Sequence, residues 1–226
     1  MGLFNENNFL NIALLKVWDI VLTNLLFILC CIPIITIGPA FTAMYHCTLR
    51  IVKGNQSGTL KTFFRAFKDN FKQSTVVWLG SLMIAAILYM DIRFLNTQNS
   101  LFASILFSLT VAMAILLVIF NLLIYPVIAA FEGTLKMQIK NTFIFAARHF
   151  FKVILIFIVW TFPMATTYID TQLQPLYIFC WFFFLFSTLA YINSFLLYKM
   201  FKPYLLEEEN DMTDRFFDDD GQAYLS

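Results

Sequence analysis

Asp19 stands three residues after Lys16 at the start of a long apolar run. An acid inside such a run is where substrate or proton chemistry in a membrane would be sought. The plainer account is an i, i+3 ion pair with Lys16 at the outer edge. Asp91 and Arg93 close a second apolar run at its outer edge, where water is near. The two histidines, His46 and His149, are far apart, and neither has a metal-ligand spacing such as H-E-x-x-H. His149, beside Arg148, reads as a lipid-headgroup contact. The sequence holds no Gly-rich phosphate loop, no G-x-S-x-G elbow and no carboxylate pair inside a span. The expectation is therefore a protein that is not an enzyme and takes no cofactor or metal. Cys30, Cys31, Cys47 and Cys180 lie in or beside apolar runs and read as small buried hydrophobes. Asn24, Asn121 and Asn193 are deep in apolar runs and are expected to bond between helices, at about 1 kcal/mol each. Gly80, Ser81, Ala85 and Ala86 are small positions that would let a helix approach closely.

The elements that must carry these residues are membrane helices. Hydrophobic types make up 60% of the 226 residues and charged types 13%; soluble domains have roughly 45–50% and 25%. A soluble chain of this length could not hide 28 Phe in one core, so lipid is the expected solvent. The composition predicts an all-α polytopic bundle of about five spans, near 17–37, 74–90, 101–128, 151–169 and 176–198. Pro33, Pro126 and Pro163 fall within or near these spans, which neighbouring helices can tolerate. The opening MGLFNENNFL has no basic region of a signal peptide and no Ser or Thr at position 6 for myristoylation. The first span is expected to remain as an anchor.

Lys and Arg set the orientation. Arg50, Lys53, Lys61, Arg65, Lys68 and Lys72 precede the second span, and Lys136, Lys140, Arg148 and Lys152 precede the fourth. Lys199, Lys202 and Arg215 follow the fifth, leaving only Lys16 and Arg93 for the other side. The reading is a multi-pass plasma-membrane protein with an outer N-terminus and a cytoplasmic C-terminus.

The two basic segments share a word. Gly58-Thr59-Leu60-Lys61 recurs as Gly133-Thr134-Leu135-Lys136, and each segment ends in Phe-Lys, at Phe71-Lys72 and Phe151-Lys152. The chain then reads as span, basic helix, span, repeated, with a fifth span appended. In the first segment Leu60, Phe63, Phe64, Phe67 and Phe71 share a helical face, with Lys61, Arg65, Lys68 and Lys72 along its flank. The pattern predicts a helix in the inner interface, with Phe rings toward lipid or a partner and cations among anionic headgroups of the inner leaflet. Beyond, residues 203–226 form an acidic segment expected to be a mobile cytoplasmic tail, with Pro203 ending the last helix. Nothing in the pattern points to nucleic acid.

The run Asn24-Leu25-Leu26-Phe27-Ile28-Leu29-Cys30-Cys31-Ile32-Pro33-Ile34-Ile35-Thr36-Ile37-Gly38-Pro39-Ala40, with Phe63-Phe64-Arg65-Ala66-Phe67-Lys68-Asp69-Asn70-Phe71-Lys72-Gln73, resembles the YesL family of small polytopic membrane proteins of Gram-positive bacteria. The resemblance covers the N-terminal third well and the span layout loosely. Its members have no assigned biochemical function and accompany carbohydrate ABC-transport genes. It implies an accessory role in carbohydrate transport, with ABC permease subunits as partners, and no catalytic residue. The alternatives are a stand-alone channel or facilitator for small molecules, and a membrane partner of a sensor kinase. Ala129-Ala130-Phe131-Glu132-Gly133 has the letters of a permease coupling loop in a different order and is not a match.

Overall fold

The structure is a computed structural model. It describes residues 9–54, 58–98 and 100–216, with side-chain surroundings for 13–54, 58–98 and 100–205. Helices account for nearly all of it, and five are long and apolar enough to cross a membrane. α1 (Phe9–Cys31) is followed by a single 3-10 turn and α2 (Ile37–Val52). The basic helix α3 (Thr59–Asp69) leads into α4 (Phe71–Leu95), which pairs with α5 (Leu101–Ala130). A second basic helix, α6 (Leu135–Arg148), leads into α7 (Phe150–Ile169). α8 (Gln174–Cys180) passes through a π-helical turn, Trp181–Leu185, into α9 (Phe186–Phe216).

α2 is the element absent from the sequence reading, which had the first span running to residue 37. α1 instead stops at Cys31. Pro33 has no N–H to continue the helix and pushes residue 32 out of the helical region. Thr36 then donates its hydroxyl to the carbonyls of Cys30 (2.6 Å) and Pro33 (2.7 Å), and Trp78 donates its indole N–H to that of Ile34 (2.7 Å). Non-helical backbone at membrane depth needs such partners. The chain turns back as α2, whose buried residues include Ala40, Ala43, Met44, Tyr45 and Cys47. α2 packs on α1, α3, α4, α5 and α9 and is the centre of the bundle. It runs antiparallel to α1: Phe41 stacks edge-on against Phe27, at 4.8 Å between ring centroids, near the turn. At the other end Thr59, at the start of α3, donates to Asp19 Oδ1 at 2.6 Å.

That return corrects the relative placement of the N-terminal region. Lys16 and Asp19 lie at the same end of the bundle as α3, not opposite it. Lys16 joins the basic end, and Arg93 is left as the described cation at the far end. The bundle thus has a basic end, formed by the start of α1, the end of α2, α3, α6 and the lower part of α9. Its far end holds the α4–α5 and α7–α8 connections.

The last helix differs as well. It does not end at Pro203 but runs through it to Phe216. Proline removes one donor and frees one carbonyl, a defect water can repair once a helix has left the lipid. From residue 217 onward the expected mobile tail lies outside the described residues.

Candidate functional site

The basic end contains a cavity of about 910 Å³. α2 supplies His46 and Arg50, α3 supplies Lys61, Thr62 and Arg65, the start of α4 supplies Gln73, and the α5–α6 connection supplies Phe131, Glu132 and Gly133. Each wall is pinned to another. His46 Nδ1 is 3.1 Å from the carbonyl oxygen of Ala129 on α5. Arg50 donates to Thr62 Oγ1 at 3.0 Å, tying α2 to α3. Gln73 donates to the Gly133 carbonyl at 2.9 Å, tying α4 to the α5–α6 connection. Arg65 pairs with Asp69 at 3.6 Å, with both side chains well exposed. That is the one salt bridge among the described residues. Arg50 and Lys61 therefore carry positive charge that no salt bridge among the described residues offsets, and Asp69 and Glu132 are the acids that line the chamber.

The repeated Gly-Thr-Leu-Lys word is built into this chamber. Gly58 has φ 68° and Gly133 φ 150°, and both line the cavity. Side chains rarely tolerate such backbone angles. Each glycine turns the chain from a helix in the bundle into a basic helix at its end. Asn70 breaks α3 from α4, and His149 breaks α6 from α7. The order α2–α3–α4 is thus matched by α5–α6–α7. The first helix of the first set is α2, not the span the sequence reading had placed there.

α3 is an amphipathic helix, but part of its apolar face looks inward. Phe63 is 0% exposed and Ala66 is buried, both in the bundle core, and Phe67 packs against that core. Phe64, 45% exposed, and Phe71 remain outside. The expectation that all four rings face lipid or a partner is corrected to two. Of the cationic stripe, Lys61 and Arg65 border the cavity, while Lys68 and Lys72 are exposed and do not line it.

The polar residues singled out in the spans separate into three situations. Asn24 bonds between elements: its amide donates to the carbonyls of Trp181 (3.1 Å) and Phe182 (2.7 Å), and its Oδ1 accepts from Ser187 N (2.9 Å). Its partners thus lie in the π turn Trp181–Leu185 and just after it. Asn121 does not bond between helices. It donates to Leu117 O and accepts from Tyr125 OH, both on α5. Asn193 is fully buried, and its amide meets no protein partner among the described residues. Asp19, 9% exposed, is held by Thr59 rather than by an ion pair with Lys16. His149 lies at the α6–α7 break, where burial first, then Lys152 and Arg148, hold its imidazole below the ordinary histidine value. Close approach is made at Gly38, not at Gly80. A Cβ on Gly38 would collide with the Ser74 carbonyl oxygen and come within 2.8 Å of Trp78 Cβ, whereas one on Gly80 would meet nothing within 4 Å.

Sequence reasoning did not find His46, Arg50 or Glu132 as parts of one site. The signal for it was the repeated word, whose two glycines converge on the chamber.

The arrangement defines a helical membrane protein with a polar chamber at its basic end. Residues 20–92 match the family described as a protein of unknown function, DUF624, to which the YesL proteins belong. The match runs from within α1 through α2 and α3 into α4, the elements that form most of the chamber, and covers less than half of the chain. No curated protein and no solved structure matches.

Proposed function

We propose that the protein is an integral membrane accessory protein that assists or regulates a carbohydrate ABC transporter in the plasma membrane, with its basic end in the cytoplasm. The observation that supports this reading is the pair of basic helices at one end. α3 and α6 each follow a glycine at positive φ, Gly58 and Gly133, and display Lys61, Lys68, Lys136 and Lys140 as exposed side chains. Cations concentrated at one end follow the positive-inside pattern. Exposed charged helices at a cytoplasmic face are also suited to docking on a partner through complementary charge. In this reading the protein carries no sugar itself and binds permease subunits.

The test is copurification from mild detergent followed by mass spectrometry. The expected result is recovery of ABC permease subunits, lost when Lys68, Lys136 and Lys140 are changed together to Gln. Purified protein reconstituted alone in liposomes should show no sugar uptake above empty vesicles. Recovery of the protein alone, together with robust uptake abolished by Asp19→Asn, would replace this reading with a stand-alone carrier.

A further inference from the structure

Charge in the basic chamber is sorted along α3. Arg50 donates to Thr62 Oγ1 at 3.0 Å, which holds its guanidinium at the first turn of that helix, beside Lys61 in sequence. Asp69 is the last residue of α3. Gln73, one turn further on, holds the Gly133 carbonyl at 2.9 Å and so keeps Glu132 on the side of Asp69. Asp69 lies seven residues beyond Thr62 on α3, about 10 Å at the helical rise per residue. The chamber thus has a cationic pole, Arg50 and Lys61, and an acidic pole, Asp69 and Glu132. His46, one turn before Arg50 and held by the Ala129 carbonyl, closes the chamber toward the bundle.

The two poles are not equal. Arg65 pairs with Asp69 at 3.6 Å and offsets part of the acidic pole, whereas no salt bridge among the described residues offsets Arg50 or Lys61. Asp19, which accepts from Thr59 at the start of α3, does not line the chamber. Three lining cations, Arg50, Lys61 and Arg65, face two lining acids. A zwitterion would leave that excess unmet, and an anion meets it. A phosphate monoester carries roughly 1.5 to 2 negative charges at neutral pH, which matches the pair Arg50 and Lys61. The planar fork of arginine also fits phosphate oxygens. Ionised carboxylates only accept hydrogen bonds. The part of the ligand that reaches Asp69 and Glu132 must therefore bring donors and no second negative charge, which hydroxyl groups do. The volume, about 910 Å³, lies within the range of small-molecule sites, about 300–1,000 Å³.

We propose that the chamber binds a small phosphorylated polyol, such as a sugar phosphate, with its phosphate at Arg50 and Lys61 and its hydroxyls at Glu132 and Asp69. Arg50 and Lys61 belong to the α2–α3–α4 set, and Glu132 stands in the connection that opens α6. An occupant that touches both poles therefore ties the two matched sets together. The site is independent of the accessory role, whose test alters Lys68, Lys136 and Lys140 and leaves the lining of the chamber intact.

The experiment is isothermal titration calorimetry on the full chain purified in mild detergent. The probes are glucose 6-phosphate, glucuronate, inorganic phosphate and glucose. Glucose 6-phosphate should bind about ten-fold more tightly than any of the other three, as one charge-assisted contact more would give. Lys61→Gln should weaken glucose 6-phosphate and inorganic phosphate alike, by about ten-fold. Glu132→Ala should bring glucose 6-phosphate toward parity with inorganic phosphate. Both positions are exposed, so neither change disturbs the core. No saturable binding of glucose 6-phosphate would overturn the proposal, and so would binding that ignores Lys61→Gln. Parity of glucose 6-phosphate with inorganic phosphate in the unaltered protein would also overturn it, since that reports a bare anion site. Glucuronate binding as tightly as glucose 6-phosphate would do the same, since a single carboxylate would then suffice.

Discussion

Asn24 makes three hydrogen bonds to one stretch of the last span, and all three go to backbone groups. A buried carbonyl or N–H that loses its partner costs about 1–3 kcal/mol. Asn24→Leu should therefore lower the thermal stability of the detergent-solubilised protein by about that amount. Asn121→Leu should cost less than about 1 kcal/mol, because its partners lie on its own helix and α5 keeps its backbone bonds. Thermal unfolding of the two variants side by side checks this, and equal losses would mean that the π turn does not depend on Asn24. The sequence showed that three asparagines were deep enough to need partners. It could not show which partner, because the widened turn at Trp181–Leu185 has no local signature in a run of Trp, Phe and Leu.

At the scale of elements, the helix hardest to read was the one at the centre. α2 has 16 residues and carries Thr42, His46, Thr48 and Arg50, so it is too short and too polar for a rule that asks for about 20 apolar residues. That rule describes helices whose solvent is lipid. The solvent of α2 is mostly protein: Thr42 meets Ser74 at 2.8 Å and Thr48 meets Ser194 at 2.9 Å. The five long helices were legible because lipid does surround much of them, and their ends moved by only a few residues apart from α1 and α9. Gly38 sets how closely α2 and α4 approach. Gly38→Ala should destabilise by about 1–3 kcal/mol, since the obstructing atom is backbone and cannot swing away. Gly80→Ala should be neutral or slightly stabilising, because the site is open and alanine favours a helix. Melting curves of the two variants decide it; a harmless Gly38→Ala would show that the α2–α4 contact is looser than described.

For the whole molecule, the α1–α2 return changes the path of the chain. Both described ends of the chain, the start of α1 and the lower part of α9, lie at the basic end. The far end keeps Arg93 as its described cation, so the return sharpens the asymmetry of Lys and Arg that the sequence displayed. Reporter fusions before residue 9, at residue 55 and after residue 226 should all read cytoplasmic, and a fusion after Gln98 should read external. An external N-terminal reporter would sink this path. Charge counting had set Lys16 on the wrong side because a span ending at residue 37 leaves no helix to bring the chain back. The chamber was legible only through its repeated glycine word; the residues that give it charge come from α2, α3 and the α5–α6 connection.

The bonds of Asn24 also have a place in time. Its partners lie 157, 158 and 163 residues further along the chain. At about 5–20 residues per second, synthesis separates the two by on the order of 10–30 s. For that interval α1 holds an unpaired amide at membrane depth, and the last helix ends the wait by presenting its opened turn. Asn24 is thus the latch by which α1 receives α9, and a chain stopped before Trp181 leaves it unclosed.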